Sequence, residues 1–117
     1  MRFIPTPLHA VLDYLTAIFF LGTPWIFGLK PGDVEVMIFM VLGITLLTYS
    51  VFTKYELGLV RVLPLKTHLT LDILSGMLLS GSPWLFNFVD GVYLPHLLIG
   101  VFEIALGIFT RTKILKK

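Results

Sequence analysis

The chain has 117 residues, of which 56% are hydrophobic and 14% charged, with a formal charge of +2 and no cysteine. A soluble domain carries about 45–50% apolar and about 25% charged residues, and a chain this short has too much surface to hide such an excess, so the composition points to lipid as the solvent. The missing thiols exclude disulfide frameworks, thiolate metal sites and thiol redox chemistry. The basic residues sit in loops and termini and form no helix face suited to nucleic acid.

A helix needs about 20 apolar residues to cross a hydrocarbon core about 30 Å thick. Four stretches are predicted to do so, over residues 8–28, 34–52, 68–88 and 93–110. Residues 1–20 look superficially like a secretory leader, but Asp13 interrupts the apolar run and no small-x-small cleavage site follows, so the segment is expected in the mature protein.

The first and third spans are copies of one another. His9-Ala-Val-Leu-Asp13, leading into Gly22-Thr23-Pro24-Trp25-Ile26-Phe27, returns 59 residues later as His68-Leu-Thr-Leu-Asp72, leading into Gly81-Ser82-Pro83-Trp84-Leu85-Phe86. Thr16 and Ser75 match at the same offset. The even spans repeat less sharply, with Gly43 matching Gly100, Ser50 matching Gly107, and Phe52-Thr53 matching Phe109-Thr110. The unit is therefore a two-helix hairpin used twice, over residues 7–53 and 66–110 of one transmembrane domain spanning 1–117. An even number of spans per unit gives both copies the same orientation, so they are expected to be related by a pseudo-twofold axis along the membrane normal.

The connections are short. Lys30-Pro31-Gly32-Asp33 is predicted to turn the chain and Asp33 to cap the second helix, with Asp90-Gly91 serving likewise before the fourth, where Pro95 falls in the first turn. Arg2, Lys54, Arg61, Lys66, Arg111, Lys113, Lys116 and Lys117 lie on one side of this topology and only Lys30 on the other, which predicts cytoplasmic termini. Lys113, Lys116 and Lys117 form a flank attracted to anionic lipid.

In their tandem form the Gly-Thr-Pro-Trp and Gly-Ser-Pro-Trp elements, each in the first helix of a hairpin, resemble the SPW-repeat family of small bacterial membrane proteins. The resemblance covers nearly the whole chain. It implies a multi-pass protein of the bacterial inner membrane and carries no assigned activity; the Thr at position 23 is a conservative departure.

Gly terminates helices, a hydroxyl residue caps them and Pro opens them. Gly22-Thr23-Pro24-Trp25 and Gly81-Ser82-Pro83-Trp84 therefore predict either a break with a short restarted turn, or a kink in which the Pro ring displaces the bond to the Phe20 or Leu79 carbonyl. Trp25 and Trp84 belong in the aromatic belt. This is architecture, unless the broken ends line an ion or substrate site.

The pairs His9/Asp13 and His68/Asp72 have i, i+4 spacing, and Thr16 and Ser75 extend each stripe. A carboxylate facing lipid costs roughly 2.5–3.5 kcal/mol, so these faces are expected to turn inward and converge. Glu103 lies at a similar depth and shares a face with Gly100 and Gly107, which favour close helix contact; it aligns with Leu46 and breaks the repeat's symmetry. Three readings are open for His9, Asp13, His68, Asp72 and Glu103: an interhelical lock, a proton or cation path, or a metal or haem site using the two His with the carboxylates. His96 is expected at the outer interface, solvated. The resulting expectation is an all-α, four-helix transmembrane bundle, non-enzymatic and without nucleic acid. It is embedded in the bilayer as a small transport or channel subunit, a homo-oligomer or part of a larger membrane complex.

Overall fold

The computed structural model describes residues 2–30 and 32–113; Pro31 of the predicted turn and Lys116 and Lys117 of the basic flank lie outside them. The described residues form five helices and no strand: α1 (Thr6–Leu21), α2 (Thr23–Ile26), α3 (Val34–Val51), α4 (Leu65–Leu85) and α5 (Leu94–Phe109). α1 packs on α3, α4 on α5, and α3 on α4.

The two halves begin alike. Extended prolines, Pro5 and Pro64, stand immediately before α1 and α4, and the preceding residues bridge to those just after α5 and α3. Ile4 pairs with Thr110 and Leu63 with Thr53; Arg111 N–H donates to the Ile4 carbonyl at 3.0 Å and Lys54 N–H to the Leu63 carbonyl at 2.9 Å. Ile4 and Leu63 are 59 positions apart, as are Arg2 and Arg61, the same offset as the His and Asp pairs.

Both outcomes predicted for the proline motif occur, one per copy. At Gly22 the chain leaves α1 and restarts as α2, whereas Pro83 lies inside a continuous α4. The hydroxyls do not cap N–H groups. Thr23 Oγ1 donates to the Phe20 carbonyl at 2.8 Å and Ser82 Oγ to the Leu79 carbonyl at 2.7 Å. These are the acceptors a proline at position 24 or 83 leaves without an N–H, so the residue before each Pro supplies the donor that the Pro removes. The two copies then end identically. Gly28 and Asn87 have positive φ, a conformation these two residues tolerate best, and the next N–H, of Leu29 or Phe88, donates to the Pro24 or Pro83 carbonyl at 2.9 Å.

Two predicted caps are corrected. Asp33 stands at the N-cap of α3 but its side chain makes no capping bond, and α5 is preceded by Tyr93 rather than by Asp90-Gly91, which lie in the turn before it.

The second hairpin is the tighter. A Cβ on Gly76 would stand 2.6 Å from the Gly100 carbonyl oxygen, and one on Gly107 2.9 Å from that of Leu69. The positions of Gly76 and Gly107 correspond in the first hairpin to Ala17 and Ser50, and only Gly43 repeats the close approach there, 2.9 Å from Phe20 Cβ.

Polarity is inverted relative to a water-soluble fold. His9, Asp13, His68, Asp72, His96 and Glu103 are buried, while Leu15, Ile18, Met37, Val41, Ile44, Leu74, Met77, Leu98 and Val101 are exposed. Among the described residues, α3 alone qualifies by length and composition as a membrane span; α1 and α5 are apolar but shorter. The expectation of four comparable spans is thus met by one helix. His68 and Asp72 dilute the hydropathy of the 21-residue α4, and the Gly22 break shortens α1 to 16 residues.

Candidate functional site

His9 and Asp13 on α1, and His68 and Asp72 on α4, face each other across the molecule, all at most 3% exposed. The i, i+4 spacing places each pair on one face, but the shortest contacts cross between repeats. His9 Nε2 meets Asp72 Oδ2 at 2.8 Å and its own Asp13 Oδ1 at 3.2 Å; His68 Nε2 lies 2.8 Å from Asp13 Oδ2 and 3.2 Å from its own Asp72 Oδ2. One ligand atom from each of the four residues falls within 4.8 Å of all the others.

The outer nitrogen of each ring is held by the opposite repeat as well. His9 Nδ1 contacts Thr110 Oγ1 at 2.7 Å, and His68 Nδ1 contacts Thr53 Oγ1 at 2.6 Å. Thr53 Oγ1 also donates to the Tyr49 carbonyl at 2.6 Å. A hydroxyl has one hydrogen, so Thr53 must accept from His68 Nδ1–H, which turns Nε2 toward the carboxylates. That nitrogen makes no aligned hydrogen bond despite its 2.8 Å distance to Asp13. A bare imidazole lone pair facing a carboxylate is repulsive, so the geometry calls for a cation, a proton or a metal ion, between them.

Each carboxylate also accepts from a tyrosine. Tyr49 Oη donates to Asp72 Oδ1 at 2.5 Å and Tyr55 Oη to Asp13 Oδ2 at 2.8 Å. Tyr55 belongs to the link between α3 and α4, and burial, reinforced by the Asp13 charge, raises its hydroxyl far above the ordinary range, keeping it a donor. The family model of the SPW repeat domain matches residues 7–110.

The chain belongs to the SPW repeat family. No curated protein and no solved structure matches it. Family membership and the α3 span both indicate a membrane protein. In this SPW repeat protein the signature Trp25 and Trp84 are exposed, Trp84 against the Tyr93 ring at 6.1 Å. The motif's Gly, hydroxyl and Pro residues shape helix ends and stand apart from the four-residue cluster.

Other sequence expectations resolve unevenly. Glu103 is buried, with Asp72, Asp13 and His9 as charged neighbours, yet it lies outside the converging four, and its Oε1 has no hydrogen-bond partner. Thr16 and Ser75 do not continue the polar stripe; both are only half-buried, and Ala17 and Gly76 occupy the inward positions. His96 is not solvated but fully buried. Its Nε2 donates to the Glu35 carbonyl at 2.8 Å, and its ring packs against Phe39 and Phe88 at centroid distances of 4.3 and 4.8 Å.

Thr53, Thr110, Tyr49 and Tyr55 were not among the predicted site residues. Thr53 and Thr110 are a repeat-related pair, the one signal that pointed to them. A haem does not fit: the two imidazole centroids are 5.4 Å apart and the aspartates occupy the space between their Nε2 atoms. Two imidazole nitrogens and two carboxylates are instead a donor set that suits a single divalent transition-metal ion.

Proposed function

We propose that this protein crosses the bacterial inner membrane four times as two parallel hairpins about a pseudo-twofold axis along the membrane normal, with cytoplasmic termini. Its core binds one divalent transition-metal ion on His9, Asp13, His68 and Asp72. The burial of every ionisable side chain in the cluster beneath exposed Leu, Ile, Val and Met supports the lipid placement. The matched cross-repeat contacts at 2.8 and 3.2 Å support the axis. Arg2, Lys54, Arg61, Lys66, Arg111 and Lys113, against Lys30, support the orientation.

One observation carries the metal: both rings are fixed through Nδ1 to a threonine while both Nε2 atoms face two carboxylates. An outer-nitrogen bond that orients the ring is what metal-ligating histidines commonly show. Two carboxylates also balance the charge of a divalent ion, which an apolar surrounding demands. The protein is a non-enzymatic cation-binding unit whose partner is the lipid bilayer, and it assembles as a homo-oligomer or within a larger membrane complex.

The test is elemental analysis of detergent-purified protein. Close to one equivalent of a divalent metal per chain is expected, lost in Asp13→Asn/Asp72→Asn. A folded protein that takes up no metal on reconstitution with zinc, manganese, iron or cobalt leaves the four residues as an interhelical lock alone. Topology is accessible because the chain has no cysteine. Single cysteines at Lys54 and Lys113 should be labelled from the cytoplasmic side and one at Lys30 from the other.

A further inference from the structure

The four residues of the cluster repeat, but the hydroxyls that reach its carboxylates do not. Tyr49 lies in α3, where the matching residue of the second repeat is Leu106. Tyr55 lies in the link after α3, and the offset that pairs Thr53 with Thr110 matches it to Thr112. Each nevertheless takes one carboxylate. Tyr49 Oη donates to Asp72 Oδ1 at 2.5 Å and Tyr55 Oη to Asp13 Oδ2 at 2.8 Å. Two side chains that the duplication did not supply thus perform one task on the two repeat-related aspartates.

Each bond divides its carboxylate. On Asp72 the tyrosine holds Oδ1, while Oδ2 meets both imidazoles, His9 Nε2 at 2.8 Å and His68 Nε2 at 3.2 Å. On Asp13 the tyrosine holds Oδ2, beside His68, and Oδ1 is left toward His9 at 3.2 Å. An oxygen that accepts from a hydroxyl is the weaker donor to a metal, so each aspartate is set to ligate through its other oxygen alone. The cluster then offers four donor atoms, two imidazole nitrogens and two carboxylate oxygens. His9, His68 and Tyr55 are fully buried, and Asp13 and Asp72 are 3% exposed, so none of the four ligands presents a face to solvent from which water could enlarge the shell. Zinc is satisfied by four nitrogen and oxygen donors at tetrahedral corners, whereas magnesium, calcium and manganese take larger shells, mostly of oxygen.

We propose that the cluster is a closed, four-coordinate zinc site, and that Tyr49 and Tyr55 are its positioning residues, each holding one aspartate to a single ligating oxygen. This rests on the metal reading above and adds to it the ion, the coordination number and the two residues that set them.

Cobalt(II) is the probe, because it accepts the same donors as zinc and its visible bands are intense in a tetrahedral site and faint in an octahedral one. Full-length protein in neutral detergent, loaded with an equimolar amount of cobalt, should show the intense bands. Zinc should abolish them, and excess magnesium or manganese should not. Tyr49→Phe and Tyr55→Phe keep the rings that pack on His68, at centroid distances of 4.8 and 5.1 Å, and remove only the hydroxyl. Each variant should still take cobalt, with weaker bands as the released oxygen joins the ion, and with the preference for zinc over manganese reduced about tenfold. Cobalt bound with the faint bands of an octahedral ion overturns the four-coordinate site and leaves the metal reading standing. No uptake of cobalt or zinc by folded wild-type protein overturns both. Wild-type spectra and selectivity in both folded variants overturn the role given to the tyrosines.

Discussion

His9 stands 2.8 Å from Asp72 and 3.2 Å from Asp13, its neighbour one turn along the same helix. His68 has the reverse preference, for Asp13. The helical spacing brings each pair onto one face, but the bonding is between repeats, so the cluster acts on the association of the hairpins more than on either helix.

Removing a carboxylate should therefore act across the molecule. Asp72→Ala strips His9 and Tyr49 of an acceptor at once. Breaking a buried ionic network by deleting one member costs about 3–5 kcal/mol, and a loss of that order is expected in reversible unfolding in detergent. Asp72→Asn keeps an oxygen for the Tyr49 hydroxyl and should cost less. Equal losses would mean that the tyrosine bond contributes nothing.

The threonines are expected to act through the rings they hold. Thr53→Val and Thr110→Val each leave one Nδ1 without its partner. Deleting such an outer-shell bond typically weakens metal binding about 10–100-fold, while the cost to folding should be nearer 1 kcal/mol. Competition with a chelator of known affinity measures the first and thermal unfolding the second. Undiminished affinity in both variants would remove the orienting role given to these hydroxyls.

Ser82 and Pro83 form a compensating pair, which a double-mutant cycle can expose. Ser82→Ala orphans the Leu79 carbonyl and should destabilise by about 1 kcal/mol. In the Pro83→Ala background the restored N–H reaches that carbonyl, so the same serine change should cost much less. Identical costs in the two backgrounds would show that the hydroxyl serves something other than the proline.

Two glycines in α4 should respond oppositely to one methyl group. Gly76→Ala drives a Cβ to 2.6 Å from the Gly100 oxygen and should cost about 1–3 kcal/mol as the helices separate. At Gly81 nothing lies within 4 Å of an added Cβ, so Gly81→Ala should stabilise by up to about 1 kcal/mol. Thermal unfolding of both variants in one detergent makes the comparison.

The sequence made the repeat, the inward His and Asp faces and the close helix contact at Gly100 legible because each rests on a spacing along one helix. The Arg2/Arg61 and Pro5/Pro64 matches lie at the same offset of 59 residues, just outside the apolar pattern. What spacing does not encode is which partner a side chain selects across a helix interface. His96 shows this. A polar residue in a first turn reads as solvated, yet the fold closes Phe39 and Phe88 over it. Tyr49 and Tyr55 left no trace at all, because the equivalent of Tyr49 in the other half is Leu106 and Tyr55 sits in the irregular link. The proline motif was ambiguous for a physical reason: Thr23 and Ser82 make the same bond, and the backbone breaks in one copy and continues in the other.

The exchange of partners between halves has a consequence for biosynthesis. Because the chain is delivered from its N-terminus, in the proposed topology α1 and α3 reach the membrane before α4 with its His68 and Asp72. During that interval His9 and Asp13 lack their contacts from the second repeat: Thr110 after α5, and His68 and Asp72 on α4. In the proposed topology the early hairpin is thus incomplete in its polar core until α4 and α5 supply the contacts that cross between the repeats.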